Sequence, residues 1–145
     1  MVLASCAALN LTPEQRMVRA QTKVFQASYE EVFPVVVEVL ARDYALLRVE
    51  PEGGAIETAP KSDVKLNAGE FQGVYNLKVR ATVTPLEAHR TMVRLRVLAG
   101  QLLDFVENRW LYKDFGTRQY YREYFHVIQA AVDQQKGAPH GAGQQ

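Results

Sequence analysis

The chain has 145 residues, 48% of them hydrophobic and 23% charged, enough to bury one core and too short for a second domain of ordinary size. Its formal net charge of +1 argues neither for nor against a polyanionic partner, although tight nucleic-acid modules usually show a marked basic excess; no nucleic acid is expected as partner. The single cysteine, Cys6, excludes an intramolecular disulfide and a cysteine-based zinc site, and no run reaches the roughly 18 apolar residues of a spanning helix.

In chain order, residues 1–16 read as a terminus and tether, 17–133 as one domain and 134–145 as a tail. Leu3-Ala4-Ser5-Cys6 resembles a bacterial lipobox, in which the cysteine receives diacylglycerol and becomes the mature N-terminus. Only five residues precede Cys6, whereas a secretory leader needs a basic segment and an apolar segment of about 7 to 15 residues. Lipidation at Cys6 therefore requires a leader encoded upstream of Met1; the alternative is a free cysteine in a frayed terminus. Ala7 to Gln15 reads as the tether, and Val18, Ala20, Thr22 and Val24 alternate with polar residues as a first strand.

Ser28-Tyr29-Glu30-Glu31 is a capping box, because the serine hydroxyl can accept the third amide while Glu31 reaches back. A helix follows with Tyr29, Phe33, Val36, Leu40 and Tyr44 on one stripe. Pro34 inside it removes a backbone bond, which predicts a kink near Glu30 or a late start. Leu46-Leu47-Val49 and Ala55-Ile56-Glu57-Thr58 form a hairpin across Pro51-Glu52-Gly53-Gly54. Ala59 to Gln72 has no sustained period and reads as the longest internal loop, a candidate binding loop.

The dominant element is a long antiparallel hairpin between Val74 and Leu98. Tyr75, Leu77, Val79, Ala81 and Val83 alternate with polar residues up to Pro85, which is expected to stop the strand, and Val93-Arg94-Leu95-Arg96-Val97 repeats the pattern. Leu102 to Phe115 carries an apolar and aromatic run of no assigned structure. A last helix begins near Thr117 with Tyr121, Phe125, Ile128 and Val132 on one face, and Gln134 onward reads as a disordered tail. The order β-α-β-β-β-β-α packs most simply as an α+β two-layer domain, an antiparallel sheet with two helices on one face.

Candidate chemistry is sparse. His89, His126 and His140 have no metal or catalytic spacing, the acids are scattered, and no phosphate loop is present; no metal, cofactor or catalytic residue is expected, and the chain is read as not an enzyme. Two constellations remain. Lys78, Arg80, Arg94 and Arg96 share one face of the hairpin with no acid among them, a candidate anion-binding face unless Glu50 and Glu57 of the neighbouring hairpin neutralise it. Eight aromatics crowd between Phe105 and Phe125, and of these Trp110 and Tyr112 are candidates for a ligand or partner groove, with Trp110 expected to lid the open end between the last helix and the sheet.

The order of elements, with Thr22-Lys23-Val24-Phe25 leading into Ser28-Tyr29-Glu30-Glu31-Val32-Phe33, then Gly53-Gly54-Ala55-Ile56, Trp110 and Tyr121-Arg122-Glu123-Tyr124-Phe125, resembles small bacterial envelope lipoproteins with a helix-grip, BamC-like domain. That resemblance implies a non-catalytic binding or assembly role on the periplasmic side of the outer membrane, with the membrane engaged through the N-terminal lipid and an envelope protein or glycan as partner. It transfers no active-site residue. The alternative is a soluble helix-grip carrier holding a small apolar ligand between the C-terminal helix and the sheet.

Overall fold

Thr12-Pro13-Glu14-Gln15 starts a helix rather than continuing a tether. In the computed structural model, which describes residues 10–137, the Thr12 side chain accepts from the Gln15 amide and the Gln15 side chain accepts from the Thr12 amide. Pro13 takes the first helical position, where its missing N–H costs nothing. This helix, α1 (Pro13–Ala20), replaces the first half of the expected strand, and β1 spans only Thr22–Phe25. Cys6 and His140 lie outside the described residues.

The Ser28–Glu31 capping box forms as the sequence predicts and opens α2 (Tyr29–Asp43). Pro34 lies inside the helix without delaying its start. β2 (Leu46–Glu50) and β3 (Ala55–Thr58) pair across the expected turn. Gly54 is required there: at φ +70 its backbone lies so close to Val83 that a Cβ would sit 2.0 Å from the Val83 carbonyl oxygen, a position open only to glycine.

The expected loop over 59–72 is instead a strand and a tight turn. β4 (Lys61–Ala68) pairs with the start of β5 (Phe71–Glu87), and Gly69 at φ +57 makes the turn. β4 was illegible because its residues are mostly exposed and polar, so no alternation marks it. Nor does Pro85 end β5. Val83 donates to Gly54 beyond the end of the β3 ladder, and the two-residue strand period turns the Pro85 nitrogen to that same, unoccupied side.

β6 (Arg90–Asp104) pairs along β5, and the unassigned aromatic run resolves into a turn and β7 (Arg109–Phe115), which returns along β6. The last helix, α3 (Arg118–Gly137), continues through Gln134, where a tail was expected. The protein is thus α+β, with an open antiparallel sheet of seven strands and three helices among the described residues, in the path β1-β6-β5-β3-β2 with β4 added to β5 and β7 to β6.

One face of the sheet is covered. Val32, Val36, Val39 and Leu40 of α2 and Tyr121, Phe125, Ile128 and Val132 of α3 are buried with Phe25, Ile56, Leu77, Val79, Val93, Leu95 and Val97 of the strands. The stripe read on the last helix is therefore core. Farther along the same face the β4–β5 hairpin curls inward, placing Phe71 edge-on to Phe115 with ring centroids 5.1 Å apart.

The central β5–β6 pair is flanked on each edge by two short strands set end to end. β3 and β4 share the β5 edge and β1 and β7 share the β6 edge. At each break a side-chain hydroxyl takes the amide left over: Thr58 Oγ1 accepts from Val79 at 2.9 Å and Tyr121 Oη from Val97 at 3.0 Å. Val79 and Val97 are direct partners across the hairpin, so both breaks lie in one row.

Candidate binding face of the sheet

Strand alternation that sends Val79 and Val97 inward sends Lys78, Arg80, Arg94 and Arg96 to the opposite face, which α2 and α3 leave uncovered and α1 borders only at the Arg94 end. β7 pairs with β6 so that Trp110, Tyr112 and Asp114 stand opposite Leu102, Gly100 and Leu98, on that same outer face. The sheet therefore joins the cationic and the aromatic constellations, which the sequence leaves separate, into one surface. It also overturns the expectation that Trp110 lids the space between helix and sheet: Trp110 is on the far side of the sheet from α3, because β7 begins at Arg109 and its period assigns Trp110 outward.

The four cations reach different partners. Arg80 and Arg96 are cross-strand partners, and like charges so placed repel, but each turns to its own carboxylate. Arg80 Nε donates to Glu57 at 2.9 Å, and Arg96 grips Asp114 through two bonds of 3.0 and 3.1 Å. Glu57 therefore plays the neutralising part read for it; Glu50 pairs with Arg48 instead, and Asp114 supplies the second carboxylate. Burial alone would raise the Asp114 carboxyl, but hydrogen bonds from Arg96 and Gln21 and the charges of Arg96 and Arg94 outweigh it and hold the group below its usual range.

Arg94 Nη2 donates to Gln21 Oε1 at 3.2 Å, while its Nε is buried without a partner. Lys78 Nζ stands 4.0 Å from the centre of the Tyr112 ring, a cation–π contact. Among the described residues neither Lys78 nor Arg94 has a carboxylate in ion-pair range, but the charge of Arg94 acts on nearby Asp114, whereas Lys78 is turned to the Tyr112 ring.

Tyr112 lies flat because Gly100 lies beneath it: a Cβ at Gly100 would sit 2.4 Å from the ring. Trp110 stacks on Tyr112 with centroids 6.3 Å apart and planes 27° from parallel, and its Nε1 donates to Asn108 at 3.3 Å. The row Trp110, Tyr112, Lys78 offers an aromatic plane beside free positive charge, suited to ring stacking and to anion pairing. Beyond Trp110, the turn between β6 and β7 carries Phe105 and Val106 at 88% and 95% exposure.

Sequence reasoning missed Gly100, Asp114 and Gln21. The alternation of Trp110, Tyr112 and Asp114 against Leu111, Lys113 and Phe115 is a strand signal that would have placed the first two. Gln21 carries no such mark. The groove imagined between α3 and the sheet is filled by buried side chains, with Phe125 against Phe25 at 6.2 Å. His89 sits in the β5–β6 turn and His126 on the exposed side of α3, far apart in the fold. Among the described residues no three metal-ligating side chains come together.

No protein-family model and no curated protein matches the chain. Among solved structures, a DUF4468 family protein from Bacteroides ovatus ATCC 8483 is similar over 81% of this chain and 85% of its own, at 14% identity and a TM-score of 0.46.

Proposed function

We propose that this protein is a non-catalytic binding or assembly module of the bacterial cell envelope, anchored by a lipid on Cys6 at the periplasmic side of the outer membrane, and that it presents the sheet face left uncovered by α2 and α3 to an envelope protein or glycan. The observation that carries the binding role is the joint surface of Trp110, Tyr112 and Lys78, where a stacked aromatic pair adjoins a cation that makes no ion pair among the described residues. The anchor rests on Leu3-Ala4-Ser5-Cys6 and on the resemblance to envelope lipoproteins.

Two measurements test the two halves separately. Expressed behind its upstream leader, the protein should fractionate with membranes and Cys6→Ala should release it; wild-type protein that stays soluble and carries no lipid mass removes the anchor. Cosedimentation of the purified chain with cell-wall sacculi and with protein-bearing outer-membrane fragments should fall at least tenfold in a Lys78→Gln, Trp110→Ala variant. Undiminished binding by that variant, or none by wild type to either preparation, removes the binding face.

A further inference from the structure

A second charged site lies at the opposite end of β7 from the exposed turn. α1 packs against the start of α3 and against β1, and between them opens a cleft of about 770 Å³. Arg16 and Arg19 of α1 line one wall and Arg118, the first residue of α3, lines the other. The spacing of three between Arg16 and Arg19 puts both on one side of α1. Gly116, at φ +111, turns the chain sharply from β7 into α3 and so brings Arg118 to the cleft.

No acid lines this cleft, and among the described residues none of its three arginines is within ion-pair distance of a carboxylate. Glu14, the acid of α1, lines an adjoining groove that Arg19 also borders, outside ion-pair distance of it. Arg16 spends one donor on the Leu11 carbonyl at 2.9 Å, and among the described residues its other N–H groups have no side-chain partner. Like charges gathered without a counter-charge raise one another's energy, and an anion placed among them relieves it. Arg118 adds to the conflict, since a cation at the start of a helix with no acid in its first turn opposes the helix dipole.

We propose that the cleft lined by Arg16, Arg19 and Arg118 binds the phosphate group of a phosphate-bearing ligand. A phosphate offers several oxygens in a tetrahedron, so guanidinium forks arriving from two helices can each find an acceptor. Leu11, Pro13, Met17 and Ala20 give the lining an apolar part beside Thr22 and Thr117, which suits a phosphate joined to a hydrocarbon portion, as in an anionic phospholipid headgroup. The site is separate from the sheet face, and it stands whether or not Cys6 is acylated.

The test uses the unacylated full chain with three probes: vesicles of phosphatidylglycerol, vesicles of phosphatidylcholine, and inorganic phosphate followed by amide NMR shifts. The expected result is salt-sensitive binding to phosphatidylglycerol vesicles over phosphatidylcholine, reduced at least tenfold by Arg16→Gln, Arg19→Gln, Arg118→Gln. If inorganic phosphate instead shifts the amides of residues 16–22 and 116–119, with loss in the triple variant and no vesicle binding, the proposal holds with a soluble phosphate compound as ligand. It is overturned if wild type responds to neither anionic probe, or if the triple variant binds as wild type does. The single variant Arg118→Gln, expected to weaken binding at least threefold with a melting temperature no lower than that of wild type, guards against loss through misfolding; full-strength binding by it overturns the site as drawn.

Discussion

The Tyr121 hydroxyl, fully buried, makes three hydrogen bonds: it donates to the Phe115 carbonyl at 2.7 Å and accepts from Val97 at 3.0 Å and from Gln21 Nε2 at 3.2 Å. One oxygen thereby ties α3 to β6, to the end of β7 and to the residue between α1 and β1. Tyr121→Phe keeps the ring and strands its partners, so it should lower the unfolding free energy by about 1–3 kcal/mol in urea titration. Nothing in the apolar stripe of the last helix revealed this; the stripe announced a buried ring, while the partners of its hydroxyl lie up to 100 residues away in sequence. Asp114, next in the same network, links it to pH. Its carboxyl titrates below the ordinary 3.8 in the folded protein, so its contribution to stability is complete above that value and is lost as pH falls through the depressed one. Melting curves collected through that acid window should show wild type losing stability more steeply than Asp114→Asn. At the alkaline end, burial foremost raises Tyr121, and burial likewise raises Tyr44, Tyr120 and Tyr124, above the ordinary 10.0, so stability should fall as pH climbs past the value at which the unfolded chain ionises.

Elements with a sustained apolar period or a clear turn beside them could be read from the sequence, β2 among them although none of its residues is buried; α1 and β4 could not. α2 announced itself through a capping box and a stripe, and β5 and β6 through sustained alternation. β4 has almost no buried residues, and α1 has none, so hydrophobic period could not find them; α1 was still marked by its own start signal, Thr-Pro-Glu-Gln, which local alternation from Val18 onward obscured. For α3, the stripe and the packing agree. Phe125 is buried against Phe25 in the cluster between helix and sheet, and Phe125→Ala should cost about 3–5 kcal/mol of unfolding free energy by denaturant titration, whereas the same change at exposed Phe105 should leave stability within about 0.5 kcal/mol of wild type.

Viewed whole, the protein has a covered face, which supplies its stability, and an open face, which supplies its candidate interactions. The covered face and the cationic row of the open one were legible, because burial of alternate residues sorts both, whereas the joining of Lys78 to Tyr112 depends on which strands become neighbours. Trp110 reports on the division directly: at 37% exposure on the open face, its fluorescence should be accessible to iodide, and Trp110→Ala should leave the melting temperature nearly unchanged. A blue-shifted emission that iodide cannot quench would return the residue to the core. The row of Thr58, Val79, Val97 and Tyr121 has a mechanical consequence. Since no edge strand crosses it on either side, the sheet can crease there without breaking a ladder bond outside the central pair, and the two halves can breathe separately, each opening with its own free energy. Deuterium should then enter the β4 and β7 amides before those of the α2-covered half, with Val79 and Val97 guarded by two side-chain hydroxyls acting as latches on the fold line. Thr58→Val, which removes one latch, should quicken exchange at Val79 more than at its neighbours.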